Sequence, residues 1–536
     1  MHGVAQVGMS GEFTSGCAAA PDLQVDCRTE GCPSMSAAAP GRPGGHGRAP
    51  ASRRSGSANP SRPCIAPVDT VDVRILDGVT ASIVLGHPRH QAAQSSLAAL
   101  IQELRECTNV EDGHALQQTV LEYVLAVEAH RNAFSQAVKR FGDGKGPQRG
   151  APDPQSGLDP ALPETWKLER DVCERIGRQY RCVGDALAWR VFGFERRQII
   201  ALCQNAPPGV WAGKKGVASE IAVVEQARAA GQFAILHDLT NCLRIGDVTV
   251  FADDGDFETI EVKSDAGRRS PEQNRRIRAA RAAVRDGGPL SASDRRARLY
   301  DLNVQFKTHL DVLRLGTERA ARDGFFAAKL PGDRALLVSD LYGYSLKGWS
   351  EEEWAERLER KHTAALRRAG IGPDRTWNIH ATSMDSVSRD PTRVPFAAYP
   401  LHPAACARLI GDLAIFHVET SATALERSVR AAGIDAQWVR PAGGRELGPG
   451  EVLMNMSTRT SSPVPDSMAT RLLGGRSDLR MELTRTLQMK RSDLDHYLIE
   501  MLDQDTWIEG IRYMLADPGL DGRPWPHYRG EDQVWL

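Results

Sequence analysis

The residues in this chain best placed to do chemistry together are Asp247, Glu261 and Lys263. They fall in residues 245–264, IGDVTVFADDGDFETIEVKS, where β-type runs at 247–251 and 257–263 flank Asp253-Asp-Gly-Asp256. Gly and Asp tolerate the positive φ of tight turns, so this pattern predicts a hairpin. Side chains alternate across a strand, which sends Thr259, Glu261 and Lys263 to one face and Ile260 and Val262 to the other. One face can pack on a core while the other sets a carboxylate beside an amine. Asp247 opens the neighbouring strand and reaches the same place. A strand-borne Asp beside Glu-x-Lys can hold a metal and assist a nucleophile.

Glu-x-Lys spacing by itself is a weak signal. Glu359-Arg-Lys361 has it within a charged helical stretch, and Asp143-Gly-Lys145 has the acid-x-Lys spacing in a Gly-rich linker. What distinguishes Glu261-Val-Lys263 is its surroundings. Residues 217–230 predict a helix with Val217, Ile221 and Val224 roughly on one side and Gly231 as its C-cap. Phe233–His237 then predicts a strand. After the hairpin, Ser270 as N-cap, Pro271 at the first position and Gln273 three residues past the cap predict a second helix. A further strand is expected at 334–339. The order is helix, three strands, helix, strand.

On Asp247, Glu261-x-Lys263 and this element order, the chain resembles the PD-(D/E)XK nuclease superfamily. The resemblance covers residues 208–345, about a quarter of the chain. It implies an α/β fold with a restriction-endonuclease-like αβββαβ core. It also implies a Mg²⁺ ion, with Mn²⁺ able to substitute, held by Asp247 and Glu261. Carboxylates suit Mg²⁺, a hard cation that keeps several waters and bridges to phosphate oxygens. Such a metal stabilises charge on the scissile phosphate and activates water, and Lys263 would orient that water. Glu220 matches an auxiliary acidic position and joins the implied metal set. Gln273 lies where several branches place a polar helix residue. Gly246 departs from the pattern, standing where the name motif has proline. The implied activity is Mg²⁺-dependent endonucleolytic hydrolysis of DNA, with RNA less expected, in bacterial restriction or anti-phage defence and next in repair.

Two other readings compete. The same residues on a solvated hairpin could form an ordinary cross-strand ion pair. A catalytically inactive nucleic-acid-binding or scaffolding protein could also retain the nuclease fold.

Composition neither adds to nor excludes the nuclease reading. Among 536 residues the net charge is −1, so there is no bulk electrostatic argument for nucleic acid. The argument must be local. Arg268, Arg269, Arg275, Arg276, Arg278, Arg281 and Arg285 follow the site and could track a phosphate backbone. Lys214 and Lys215 sit where a helix N-terminus would meet phosphate. The ten cysteines form no repeated CxxC pattern, so reduced thiols and no zinc site are expected. No run is long enough for a membrane span and no signal peptide is evident, which predicts a cytoplasmic protein without a membrane partner.

The expected organisation is a disordered head (1–66), a hairpin-plus-helices unit (67–141), a Pro/Gly-rich linker (142–163) and a helical lead-in (164–207). The nuclease-like core (208–345) and an α+β region (346–536) follow. Within the second unit, a hairpin is expected at 70–85 and helices at 91–106 and 113–140. The long second helix could pack internally or support a homodimer; a defence-system partner is the other protein partner to expect. Beyond the site, 295–329 reads as mostly helical, 412–439 as strand–helix–strand, and 478–515 as helical. His237-Asp238 lacks further metal-ligand stations, and Asp238 is expected to end the first core strand near the site. His402 and His417 show no ligand-like partners and read as structural.

Overall fold

The computed structural model describes residues 86–144, 152–203, 209, 211, 214, 216–252, 256–262, 271–285, 306–372, 378–383, 390–439, 451–463 and 480–516. The head, the 70–85 hairpin, Lys215, Lys263, Arg268 and Arg269 lie outside them.

The architecture is mixed α/β. Helices α1 (Pro88–Glu106) and α2 (Val110–Gly142) start where capping chemistry permits. His87 and Asn109 are the N-caps, accepting hydrogen bonds from the Arg89 and Asp112 amides at 3.2 and 2.9 Å. Helix α3 (Pro163–Val191) runs along α2, and α4 (Arg196–Leu202) follows. Next come α5 (Val217–Ala229), β1 (Phe233–Leu236), β2 (Val248–Phe251) and β3 (Phe257–Ile260). Gly231, at φ +76°, ends α5 as its glycine predicts. The three strands form an antiparallel sheet with β2 in the middle, pairing Phe233 with Phe251 and Phe251 with Phe257. Phe192, just past α3, meets Phe251 and Phe257 edge-on at 4.9 and 5.3 Å between centroids, fastening the sheet to the helices.

Helix α6 (Pro271–Arg285) packs on α4, and α7 (Leu310–Asp323) leads to β4 (Phe325–Leu330) and β5 (Arg334–Asp340). Here the structure departs from expectation twice. Residues 325–329, expected to be helical, belong to strand β4. Gly324 at φ +82° stops α7, and the Gly332–Asp333 turn, both residues at positive φ, folds β4 back on β5. In addition, β5 does not join β1–β3. It lies in a second antiparallel sheet of order β4-β5-β7-β6, with β6 (Asn378–Thr382) and β7 (Ala414–Ser421). The αβββα order is present, but the sixth element of the expected core belongs to another sheet.

Short α8 (Leu341–Ser345) and α9 (Glu351–Arg368) separate β5 from β6, and α10 (Pro403–Ile410) precedes β7. Helix α11 (Ala422–Ala431) then connects β7 to β8 (Asp435–Trp438), as the strand–helix–strand pattern requires. The two strands nevertheless belong to different sheets, because β8 pairs with β9 (Val452–Pro463) and β9 with β10 (Arg480–Lys490). Residues 480–490, expected to be helical, are thus a strand; β-branched Thr484 and Thr486 favour that pleated conformation. Helices α12 (Arg491–Ile499) and α13 (Gln504–Ala516) close the described chain.

One hydrophobic core, from Ala93 to Leu515, draws on the helical N-terminal part, the β1–β3 region and the C-terminal region alike. Helix α1, for example, packs on α10. Among the described residues no helix is long and apolar enough to cross a membrane.

Candidate active site

The β1–β3 sheet and α5 bring four acidic side chains toward one place. Gly246 turns the chain into β2 at φ +79°, and a Cβ there would sit 2.5 Å from Thr259 Cγ2. Proline, fixed near −65°, cannot adopt that φ, so the departure from the motif has a local geometric cause. Asp247 follows. Its amide donates to the Ile260 carbonyl at 2.9 Å, and its Oδ2 accepts the Val262 amide at 2.8 Å. Strand β3 ends at Ile260, before the expected 263, but this pair of bonds carries the register one step further. Asp247 therefore faces Glu261, which is buried.

Glu220, in the first turn of α5, is 2% exposed. Asp238 stands just after β1, near the site as the sequence predicts. Between these acids lies an amine that the sequence assigns to phosphate contact. Lys214 Nζ is 2.7 Å from Glu220 Oε1, 2.8 Å from Asp238 Oδ2 and 3.9 Å from Asp247 Oδ1. Lys214 is an internal counter-ion of the acidic cluster, a role beyond the phosphate contact expected from the sequence. Three residues before it, Trp211 is buried and its amide donates to Glu128 Oε2 at 2.7 Å.

Charge balance in the cluster is incomplete. Burial pushes the Glu220 carboxyl above its ordinary pKa, and Asp247 and Asp238 add to the push while Lys214 opposes it. Burial also raises Asp247, reinforced by Glu261 across the strand pair. Asp238 goes the other way. Burial would raise it, but Lys214, Arg244 and the Gly209 amide together hold it below the usual carboxylate range. Lys214 itself loses to burial and gains more from Asp238 and Glu220, so its ammonium is held above the ordinary lysine value. Two of the acids are thus poised to gain from another cation.

The floor of the site is a polar ladder. His237 Nε2 lies 2.8 Å from Thr249 Oγ1, which lies 2.9 Å from Thr259 Oγ1. Burial pushes His237 down to about 3, so the ring is neutral. Behind it, α3 holds the Asp238 loop. Arg181 Nε donates to the Asp238 carbonyl at 2.8 Å and its guanidinium pairs with buried Glu128. Asp185 accepts the Asn241 and Cys242 amides at 2.6 and 2.9 Å. At Gly184 the helix comes so near that a Cβ would lie 2.0 Å from the Leu239 carbonyl oxygen.

Of the predicted site residues, Glu220, Asp247 and Glu261 are brought together. Gln273 is half-buried near the start of α6, and its side chain makes no hydrogen bond to another described residue. Arg275 and Arg276 are exposed on α6, with Arg276 3.4 Å from Glu272. Arg281 lies 3.3 Å from Asp256, and Arg285 pairs with the same carboxylate.

An all-oxygen donor set of Asp247, Glu261 and Glu220 fits a hard, water-retaining dication such as Mg²⁺. These acids are nevertheless spread out. Among the described residues, the group of three potential ligands whose ligand atoms all lie within 4.8 Å is elsewhere: His362, His417 and Glu419. The expectation that His417 has no ligand-like partners is corrected by this contact. Its one local signal was the alternation His417-Val-Glu419, which puts both side chains on one face of a strand.

Compared with known proteins, the chain matches no family model, no curated protein and no solved structure.

Proposed function

We propose that the chain is a metal-dependent nuclease that hydrolyses DNA phosphodiester bonds. The observation supporting it is the convergence of buried Glu220 with half-buried Asp238 and Asp247 around Lys214, with buried Glu261 facing Asp247 across the strand pair. Asp247 and Glu261, with Glu220, would hold Mg²⁺ or Mn²⁺, which when bound supplies Lewis-acid stabilisation of the phosphate and a more acidic water. The chain supplies the rest. The Val262 amide fixes Asp247, the Thr249–Thr259 ladder fixes the strands, and the exposed arginines of α6, which follows the hairpin, would contact the DNA backbone. Lys263, adjacent to Val262, is the candidate to orient the attacking water. A role in restriction or anti-phage defence accords with this activity and belongs to the same proposal.

Lys214 favours a second reading. An ammonium between three carboxylates partly neutralises them without a metal, as in a nuclease fold kept for nucleic-acid binding or scaffolding. One experiment separates the two. Plasmid and single-stranded DNA are incubated with the protein in Mg²⁺ or Mn²⁺, beside Asp247→Ala and Lys263→Ala variants. Cleavage by the wild type that is lost in both variants and in EDTA supports the nuclease. DNA retention in gel shifts without cleavage supports the second reading, and neither binding nor cleavage removes both.

A further inference from the structure

The outer face of the four-stranded sheet carries a cluster that the acidic site does not use. On β7, His417 and Glu419 alternate with Phe416 and Val418; the latter pair enter the main core. His417 and Glu419 therefore point outward, toward α9. Register places Ala335 of β5 and His380 of β6 opposite Glu419. Helix α9 rests on this face through a small cluster of its own, Ala335, Ala365, Ala369 and Ile371. Three of these four residues are alanines, which bury little area each, so Ile371 supplies most of the apolar burial in this cluster. His362 lies three residues before Ala365 and so shares the inward side of the helix.

The three side chains meet there. His362 Nε2 is 3.5 Å and His417 Nε2 4.0 Å from Glu419 Oε2. The His362 nitrogen is buried and makes no hydrogen bond. The His362 and His417 rings meet edge to face at 5.9 Å, and His380 stacks on His417 at 5.0 Å, fixing that ring. Burial and the neighbouring imidazoles push His417 down to about 4, which leaves it neutral with a lone pair to donate. Burial would raise Glu419, but the histidines draw it below its ordinary value, so it is ionised.

We propose that His362, His417 and Glu419 form a binding site for a transition-metal dication, Zn²⁺ by ligand type, that clamps α9 to the four-stranded sheet. Two imidazoles and one carboxylate are zinc ligands, and three protein ligands leave one tetrahedral position to water. Bonds of about 2.0–2.2 Å put ligand atoms roughly 3.4 Å apart, so closing this cluster onto an ion takes side-chain shifts of about an ångström. Mg²⁺, which prefers oxygen, is a poor match for the same atoms. The inference does not depend on the nuclease reading.

The test is zinc titration by calorimetry of the full-length protein after EDTA treatment and dialysis, paired with thermal melts. Wild type binds one more Zn²⁺ equivalent than His362→Ala or His417→Asn, and its melting temperature rises with zinc where theirs do not. Affinity at this site falls more than about 100-fold in the variants, because even outer-shell changes cost roughly 10–100-fold. Asp247→Ala retains the extra equivalent. Circular dichroism verifies that the variants fold. Cobalt in place of zinc gives visible bands without thiolate charge-transfer absorption. Equal zinc uptake by wild type and both folded variants, or thiolate bands alone, overturns the proposal.

Discussion

The acidic cluster beside β1–β3 and the histidine cluster on β7 start from the same device, side chains of one strand face gathered under a helix. They differ in how charge is handled. At the first, carboxylates dominate and the chain brings its own cation, Lys214, from a loop. At the second, the donors are two imidazoles and one acid, and the helix itself delivers His362. The first is fastened by buried polar struts to α2 and α3, whereas the second rests on a small apolar cluster of three alanines and Ile371. A site that already balances much of its charge discriminates weakly between cations. A site of two imidazoles and one carboxylate selects by ligand softness.

The largest effect should come from the strut. Arg181→Leu leaves Glu128 buried without its guanidinium, and one-sided removal of a buried pair costs about 3–5 kcal/mol. The urea midpoint should fall accordingly, with zinc uptake at His362 unchanged; an unmoved midpoint would show that the strut is not what supports the acidic region. Next is Asp247→Ala, expected to lower DNA cleavage at least about 100-fold, by analogy with losing one transition-state contact. Lys214→Met follows. Because Lys214 is 30% exposed, about 2 kcal/mol of stability should be lost, below the fully buried figure. Millimolar Mg²⁺ should restore part of that loss, and melts with and without Mg²⁺ measure it. A variant indifferent to Mg²⁺ would argue that the acids hold no metal. The smallest effect is Asp256→Ala, within about 1 kcal/mol since its arginine pairs are exposed. By freeing Arg281 and Arg285 it should steepen the salt dependence of DNA binding by about one to two units.

What could be read from the sequence follows the range of the forces involved. Asp247 and Glu261 were legible because strand alternation and a hairpin turn are local. Glu220 was legible because it sits one turn inside a helix with a clear C-cap. The place of Lys214 was not, since its neighbour Trp211 is tied to Glu128 on a distant helix. Nor could periodicity assign β5 to a sheet: its alternation marks a strand, but the choice of β4 and β7 as neighbours is made by topology. His362 and Glu419 meet only after a helix lands on a sheet. The strand at 480–490 was missed because charged residues among its threonines also suit a helix surface, and pairing with β9 decided the matter.

Glu128 has a consequence for modularity. One carboxylate joins Arg181 on α3 to the Trp211 amide, and Arg181 in turn holds the Asp238 carbonyl. An excised 208–345 fragment would keep its acids and lose the parts that aim them. Grafting that segment onto another DNA-binding protein would carry the motif without its scaffold, so the smallest transferable unit must reach back to α2.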